Sequence, residues 1–228
     1  MKKKIVFLSG AGMSQESGIP TFRDSDGLWE NHSIEDIATP QGFERNPTLV
    51  LEFYNARRRH AKSVKPNWGH DQIAALEKKY EVVVITQNVD SLHEIAGSTK
   101  VIHLHGELNK MRSVKNDSVN FDCYEDINLG DLAPDGGQLR PDIVWFGEEV
   151  PKMEMAVQEV AEADIFVVIG TSLQVYPAAS LVQFVYSSVP KYIIDPKKPS
   201  GISNSSFVFI EKIASEGMEE LIRLLQND

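Results

Sequence analysis

Cysteine is almost missing from this 228-residue chain, with Cys123 standing alone. One thiol excludes an intrachain disulfide framework and any zinc site built from several thiolates of the chain. Long apolar runs are missing too. None approaches the roughly 20 residues that span a bilayer. Residues 5–8, behind the basic start at Lys2, Lys3 and Lys4, are too short for a signal-peptide core. The expectation is no membrane and a cytoplasmic setting. Positive charge is in deficit, 23 Lys and Arg against 33 Asp and Glu, for a net charge of −10. Such a balance disfavours nucleic acid or an anionic membrane as partner. Internal repeats, low-complexity tracts and long linkers are also lacking.

What is present is a series of short β-branched runs, at 4–9, 81–86, 101–104, 164–170, 191–194 and 207–210. Continuous apolar runs of this length fit strands buried on both faces. Stretches with helical spacing lie between many of them, at 71–79, 153–163, 178–187 and 218–225. The alternation predicts an α/β fold with a parallel sheet covered on both faces. Two stretches break the pattern. Residues 29–66 look mainly helical, with Pro40 and Pro47 as breakers. Residues 107–137 are polar and close on Pro134, Asp135, Gly136 and Gly137. Together they read as a smaller lobe inserted into a sheet domain made of about 1–28, 67–106 and 138–228.

Open α/β sheets bind ligands beyond the carboxyl ends of their strands, so the residues there are the candidates. The first run leads into GAGMSQESGIPTFR at 10–23. The ordinary dinucleotide fingerprint needs Gly at position 15, where this chain has Gln15. The segment therefore reads either as a phosphate cradle, with Arg23 as partner and Phe22 as cover, or as a tight strand–helix turn. The second run leads into TQNVDSLH at 86–93, a set of ligand-facing polar groups or an Asx-rich helix cap. The third leads into His103, Leu104, His105 and Gly106. In an extended chain the two histidines share a face. A metal pair is one reading, structural hydrogen bonding another. The fourth leads into GTSLQVYPA at 170–178, suited to ribose or phosphate oxygens or to a plain cap.

In combination and in this order, these segments and RPDIVWFGE at 140–148 resemble the sirtuins, NAD-dependent protein lysine deacylases. The resemblance covers residues 10–178. It implies one catalytic domain, a Rossmann-like sheet with a small lobe, and NAD as co-substrate meeting an acyl-lysine protein in the cleft between them. In sirtuins the acyl oxygen attacks C1′ of the nicotinamide ribose, nicotinamide leaves, and water finally releases lysine and O-acyl-ADP-ribose. The resemblance makes His105 the general base, a neutral imidazole being suited to a ribose hydroxyl. Asn88 would position ribose and water. Asp90 and Val89 would hold the carboxamide. Gly10, Ala11, Gly12, Ser14, Ser17, Gly18, Ile19, Pro20, Phe22, Arg23, Trp29, Gln87, Gly170, Thr171, Ser172, Asp195 and Ala214 would complete the NAD site. The peptide would add as a strand between Val144, Trp145, Phe146, Gly147 and Glu148 on one side and Leu173 and Val175 on the other. Tyr54 and Arg57 share a helix face. At this place the pair resembles the sirtuin subgroup that removes succinyl and malonyl groups, an arginine fork and a phenol gripping a distal carboxylate. Without that frame, Arg57, Arg58 and Arg59 would read as a solvated basic face.

The chain departs from the family in two ways. Most sirtuins hold zinc in the small lobe with two Cys-x-x-Cys pairs, and here only Cys123 falls in that window. Zinc is predicted absent, with Phe121, Tyr124 and Leu132 ordering the lobe instead. Asp195 stands where sirtuins usually have Asn at the adenosine ribose. Two rival readings remain at this level: an NAD glycohydrolase or mono-ADP-ribosyltransferase, and a non-catalytic NAD-binding sensor. No oligomer is predicted.

Overall fold

Six short runs of Val, Ile, Leu and Phe cannot be left in water, and they pair into one parallel sheet. The computed structural model describes residues 2–21, 28–29, 32–200 and 206–226. The strands are Lys4–Ser9, Glu81–Thr86, Val101–His103, Ile165–Ile169, Lys191–Ile194 and Val208–Ile210. Numbered in chain order, they lie 3-2-1-4-5-6 across the sheet, all parallel. This is the doubly wound order, and its switch point falls between Lys4–Ser9 and Ile165–Ile169.

Both faces of the sheet are buried. Ile5, Phe7, Val82, Val84, Val167 and Ile169 face one layer, which Ile73, Met218 and Leu221 cover from the helices Trp68–Leu76 and Ala214–Leu225. Val6, Leu8, Val83, Ile85, Phe166 and Val168 face the other, covered by Ala156 and Val160 of the helix Met153–Ala161 and by Leu181. The side chains of each strand alternate between the two layers, as the pleat requires. The stretch expected to be helical at 178–187 is a 3-10 helix over Ala178–Phe184.

The second body packs around its own core of Ile37, Phe43, Val50, Leu51, Phe53, Tyr54, Cys123, Ile127, Ile143 and Trp145. Its helices are Ile34–Ile37, Pro40–Arg45 and Pro47–Ser63. The two prolines open helices rather than break them. Each sits at a first-turn position, behind Thr39 and Asn46, whose side chains accept from the N–H groups of Gly42 and Leu49. A three-stranded antiparallel sheet joins Asn120–Asp122, Gly106–Ser113 and Leu139–Ile143. Leu139–Ile143 was expected with the larger part, and pairs instead with the lobe.

Two of the three side chains expected to order the lobe are exposed, and Phe121, on Asn120–Asp122, is half-buried. Tyr124 is 59% and Leu132 61% exposed. Two buried polar residues of Pro47–Ser63 hold the loop instead. Asn55 accepts from Ile127 N–H and donates to Ile127 C=O, both at 2.9 Å. Arg58 donates to Leu108 C=O at 2.6 Å, to Asn55 Oδ1 at 2.7 Å and to Glu125 C=O at 3.3 Å. The Cys123 thiol donates to the same Glu125 carbonyl. Among the described residues no cluster of three His, Cys, Asp or Glu could hold a metal ion. Among the same residues no helix is long and apolar enough to cross a membrane.

Candidate active site

A cleft of about 1020 Å³ opens at the carboxyl ends of the first and fourth strands and runs against the lobe. Its floor is built by two loops packed without room for side chains. Gly12 N–H donates to Gly170 C=O at 2.8 Å. A Cβ on Gly170, which lies at φ +63°, would stand 2.3 Å from Met13 N. The glycines of the first loop therefore serve loop-on-loop contact as much as ligand approach. Asn67 fastens this loop from below, its Nδ2 donating to Met13 C=O and to Ser17 Oγ.

The third loop carries the polar centre. Asn88 spends its two amide hydrogens inward, on Gly10 C=O and Ser14 Oγ, each at 3.1 Å. Ser14 Oγ donates to Asp90 Oδ2 at 3.0 Å, and Asp90 Oδ1 accepts from Leu92 N–H. Burial pushes the Asp90 carboxyl above its ordinary range, against these bonds. Gln87 Nε2 crosses to Thr171 Oγ1 at 3.0 Å and ties this loop to the one after the fourth strand.

His105 borders the cleft with Nδ1 at 3.2 Å from Gln87 C=O. A carbonyl only accepts, so Nδ1 carries the proton and Nε2 is the basic nitrogen. Burial holds the ring below its ordinary value, the Gln87 bond opposing in part, so it is neutral near pH 7. Gly106 follows at φ +81°, and a Cβ there would lie 1.9 Å from Asp142 C=O. Only glycine lets the chain turn from His105 into the lobe sheet. The two histidines are no metal pair. His103 Nδ1 lies 2.9 Å from Asn88 C=O and its Nε2 2.7 Å from Glu94 Oε1.

On the lobe side, Tyr54 Oη accepts from Trp145 Nε1 at 3.1 Å. Burial raises the Tyr54 pKa, the Trp145 bond opposing in part, so the phenol stays protonated. The Arg57 guanidinium lies 4.1 Å from the centroid of the Trp29 ring and 5.4 Å from that of Phe53. Residues 144–148 form no strand. Trp145 is buried in the lobe core, and Glu148 is locked on Arg140, Arg112 and Trp145 N–H. The carboxylate of Glu148 thus shapes this segment. The N–H groups of Val144, Phe146 and Glu148 are also bonded within the chain.

The cleft brings together Gly10, Ala11, Gly12, Ser14, Ile19, Pro20, Trp29, Tyr54, Arg57, Gln87, Asn88, Val89, Asp90 and His105. It also gathers Val144, Trp145, Phe146, Gly147, Glu148, Gly170, Thr171, Ser172, Val175, Asp195 and Ala214. Ser17, Gly18 and Leu173 do not line it. Ser17 is taken by Asn67, and the Leu173 side chain packs in the sheet core. Phe22 and Arg23 lie outside the described residues. Asp195 is buried, with Oδ1 accepting from Lys197 N–H at 2.9 Å. Sequence reasoning missed His60 and Lys197, which also line the cleft, as does Tyr176 of the 170–178 segment. Lys197 stands two residues beyond Asp195, at the end of Lys191–Ile194, the one signal that pointed to it.

Residues 10–177 match the Sir2 family. The chain belongs to the Sir2 family, the sirtuins. An NAD-dependent protein deacylase of Bacteroides thetaiotaomicron is 53% identical, with 98% of each chain covered. One of Helicobacter pylori is 51% identical over 96% of each. The solved structure of a Sir2 homologue in complex with NAD superposes with a TM-score of 0.87 at 38% identity, covering 99% of this chain and 90% of that one. This sirtuin thus shares its length and fold with its relatives.

Proposed function

We propose that this sirtuin is an NAD-dependent protein lysine deacylase that removes succinyl and malonyl groups as well as acetyl. One observation carries the reading: the same cleft is bordered by His105, Asn88 and Asp90, and on its lobe side by Tyr54 and Arg57. The residues that line the cleft suit a dinucleotide, with the glycine-tight loops, Thr171 and Ser172 for phosphate and ribose oxygens and Asp195 and Ala214 for the adenosine part. NAD, bound there as co-substrate, supplies the sugar carbon that accepts the acyl oxygen. The chain's own residues do the rest. Nε2 of His105 takes the proton of a ribose hydroxyl. Asn88 and Asp90, fixed through Ser14, orient the sugar and the carboxamide. Val144, Phe146, Gly147 and Val175 border the peptide, which pairs chiefly with carbonyls, because several N–H groups there are already engaged.

The acidic-acyl preference follows from charge. A distal carboxylate entering beside Arg57 meets a cation steadied on the Trp29 ring and a phenol whose oxygen already accepts from Trp145, which leaves its O–H to donate. No zinc enters this reading, since the lobe is pinned by Asn55 and Arg58.

The test is mass spectrometry of products from matched acetyl-, succinyl- and malonyl-lysine peptides with NAD, with and without a chelator. The expected products are free lysine peptide and O-acyl-ADP-ribose, unaffected by the chelator. Free ADP-ribose or ADP-ribosylated protein would replace the reading with a glycohydrolase or transferase. Arg57→Met is expected to lower desuccinylation by about 100-fold, as loss of a charge-assisted fork does. Deacetylation should hold within about threefold, and equal losses on both substrates would discard the acidic preference.

A further inference from the structure

We propose that His103 is a positioning residue for the ribose chemistry, an imidazolium clamped between Glu94 and the Asn88 carbonyl that fixes the turn bearing Asn88 and Asp90. The proposal rests on the deacylase reading for what those two residues do. The geometry is independent of it.

His103 is 3% exposed at the end of Val101–His103. Its Nδ1 lies 2.9 Å from a backbone carbonyl oxygen and its Nε2 2.7 Å from a carboxylate oxygen. Neither partner donates. Both ring nitrogens must therefore carry hydrogen, one proton more than a neutral ring holds. Burial works against that charge, but the Glu94 bond and field, the Asn88 carbonyl and Glu107 outweigh it and raise the pKa. Glu94 answers in kind. Burial alone would raise it, yet the His103 bond holds it below its ordinary range.

The charged and titratable neighbours divide by element. Glu94 and His93 come from the helix Leu92–Ile95. Glu107 stands on Gly106–Ser113, with Lys110 bonded to it at 2.8 Å. Asp90 stands on the loop and is itself steadied by the His103 charge. His93 is buried and held well below its ordinary value, so it adds no charge.

The arrangement makes a pair of rungs. His105 Nδ1 holds Gln87 C=O, and His103 Nδ1 holds the next carbonyl, Asn88 C=O. One ring is neutral and serves as base. The other is charged and serves as clamp. Loss of the second proton from His103 leaves one hydrogen for two acceptors. The carboxylate competes for it, and the Asn88 carbonyl loses its bond. Turnover should therefore fall on the alkaline side with the titration of His103, apart from the acid limb set by His105.

The test follows the ring nitrogens of the full-length chain by long-range proton–nitrogen NMR through a pH titration. kcat and the KM for NAD are measured over the same range for wild type and Glu94→Gln. We expect a doubly protonated His103 at neutral pH, with its midpoint coinciding with the alkaline limb of kcat. Glu94→Gln should move both together toward acid by about one pH unit. The acid limb and the KM for NAD should stay within about twofold, and Glu94→Asp should restore part of the shift. A neutral ring at pH 7, or an alkaline limb that stays still while the ring titration moves, would overturn the proposal. If Glu94→Gln does not fold, coincidence of the two midpoints in wild type decides alone. Absence of any acyl-lysine-dependent nicotinamide release would overturn the deacylase reading and this role together, whereas normal turnover with a neutral ring overturns this role only.

Discussion

At the scale of single residues, the proposed role of His105 as base makes its proton the variable to follow. Its Nδ1 is committed to the Gln87 carbonyl, and burial holds the ring below the ordinary value of 6.5. A base must be unprotonated to act, so activity should persist to lower pH than a free histidine would allow. The kcat/KM profile is expected to show an acid limb below pH 6.5. A limb above that value would mean that another group sets it. His105→Ala should cost about a thousandfold in kcat, the usual weight of a positioned base, while NAD binding measured by calorimetry persists. Retained turnover in that variant would remove His105 from the chemistry. Tyr54 carries a second constraint. Its oxygen satisfies Trp145 Nε1 inside the lobe core, so Tyr54→Phe should lower desuccinylation and also destabilise the fold by about 1 kcal/mol. Arg57→Met, which leaves that bond alone, is the cleaner probe of acyl choice.

At the scale of elements, the lobe shows how polar residues can do what a hydrophobic cluster was expected to do. Asn55→Ala would strip partners from Ile127 N–H, Ile127 C=O and Arg58 at one stroke, all of them buried. We expect a loss of about 3 kcal/mol in urea unfolding. Tyr124→Ser and Leu132→Ser, at exposed positions, should change stability by less than about 0.5 kcal/mol. The reverse order would restore the aromatic account of the lobe. The six strands were legible because a buried parallel strand announces itself as an unbroken apolar run, and their bounds moved by only a residue or so. The places of Asn88, Asp90 and His105 on the cleft were legible for a related reason, since they closely follow such runs. Asn55 and Arg58 were not. Inside a helix with three successive arginines, nothing local marks Arg58 as the one turned inward, and its partners lie 50 and 67 residues away in the chain. Glu94 was hidden in the same way, because its bond to His103 exists only once the sheet has brought the helix Leu92–Ile95 beside the neighbouring strand.

At the scale of the whole molecule, a buried pair of histidines, His70 and His93, sets how the fold responds to acid. His70, in the helix Trp68–Leu76, is fully buried. Its Nδ1 accepts from Asn67 N–H, closing the capping box that also fastens the first cleft loop. Burial lowers its pKa from 6.5 to about 4. His93 packs against it with ring centroids 4.8 Å apart, is bonded to Ser9 Oγ, and is likewise depressed by burial. Between pH 6.5 and 4 the unfolded chain binds protons at these positions that the folded chain refuses, so stability falls as pH falls. For His70 alone the full span is worth about 3 kcal/mol. His103 works in the opposite sense, its raised pKa favouring the folded state at low pH, and Asp90, also raised, offsets in the same direction. The carboxylates held low, Glu94 and Glu148, add their losses only below their ordinary value of 4.5. The wild-type urea midpoint is therefore expected to drop steadily through the window from 6.5 to 4. His70→Gln can still accept from Asn67 N–H but cannot titrate, so it should flatten that decline by up to about 3 kcal/mol at the acid end. A wild-type midpoint that holds constant through the window, or an undiminished slope in His70→Gln, would place the acid sensitivity elsewhere and leave the buried pair as packing alone.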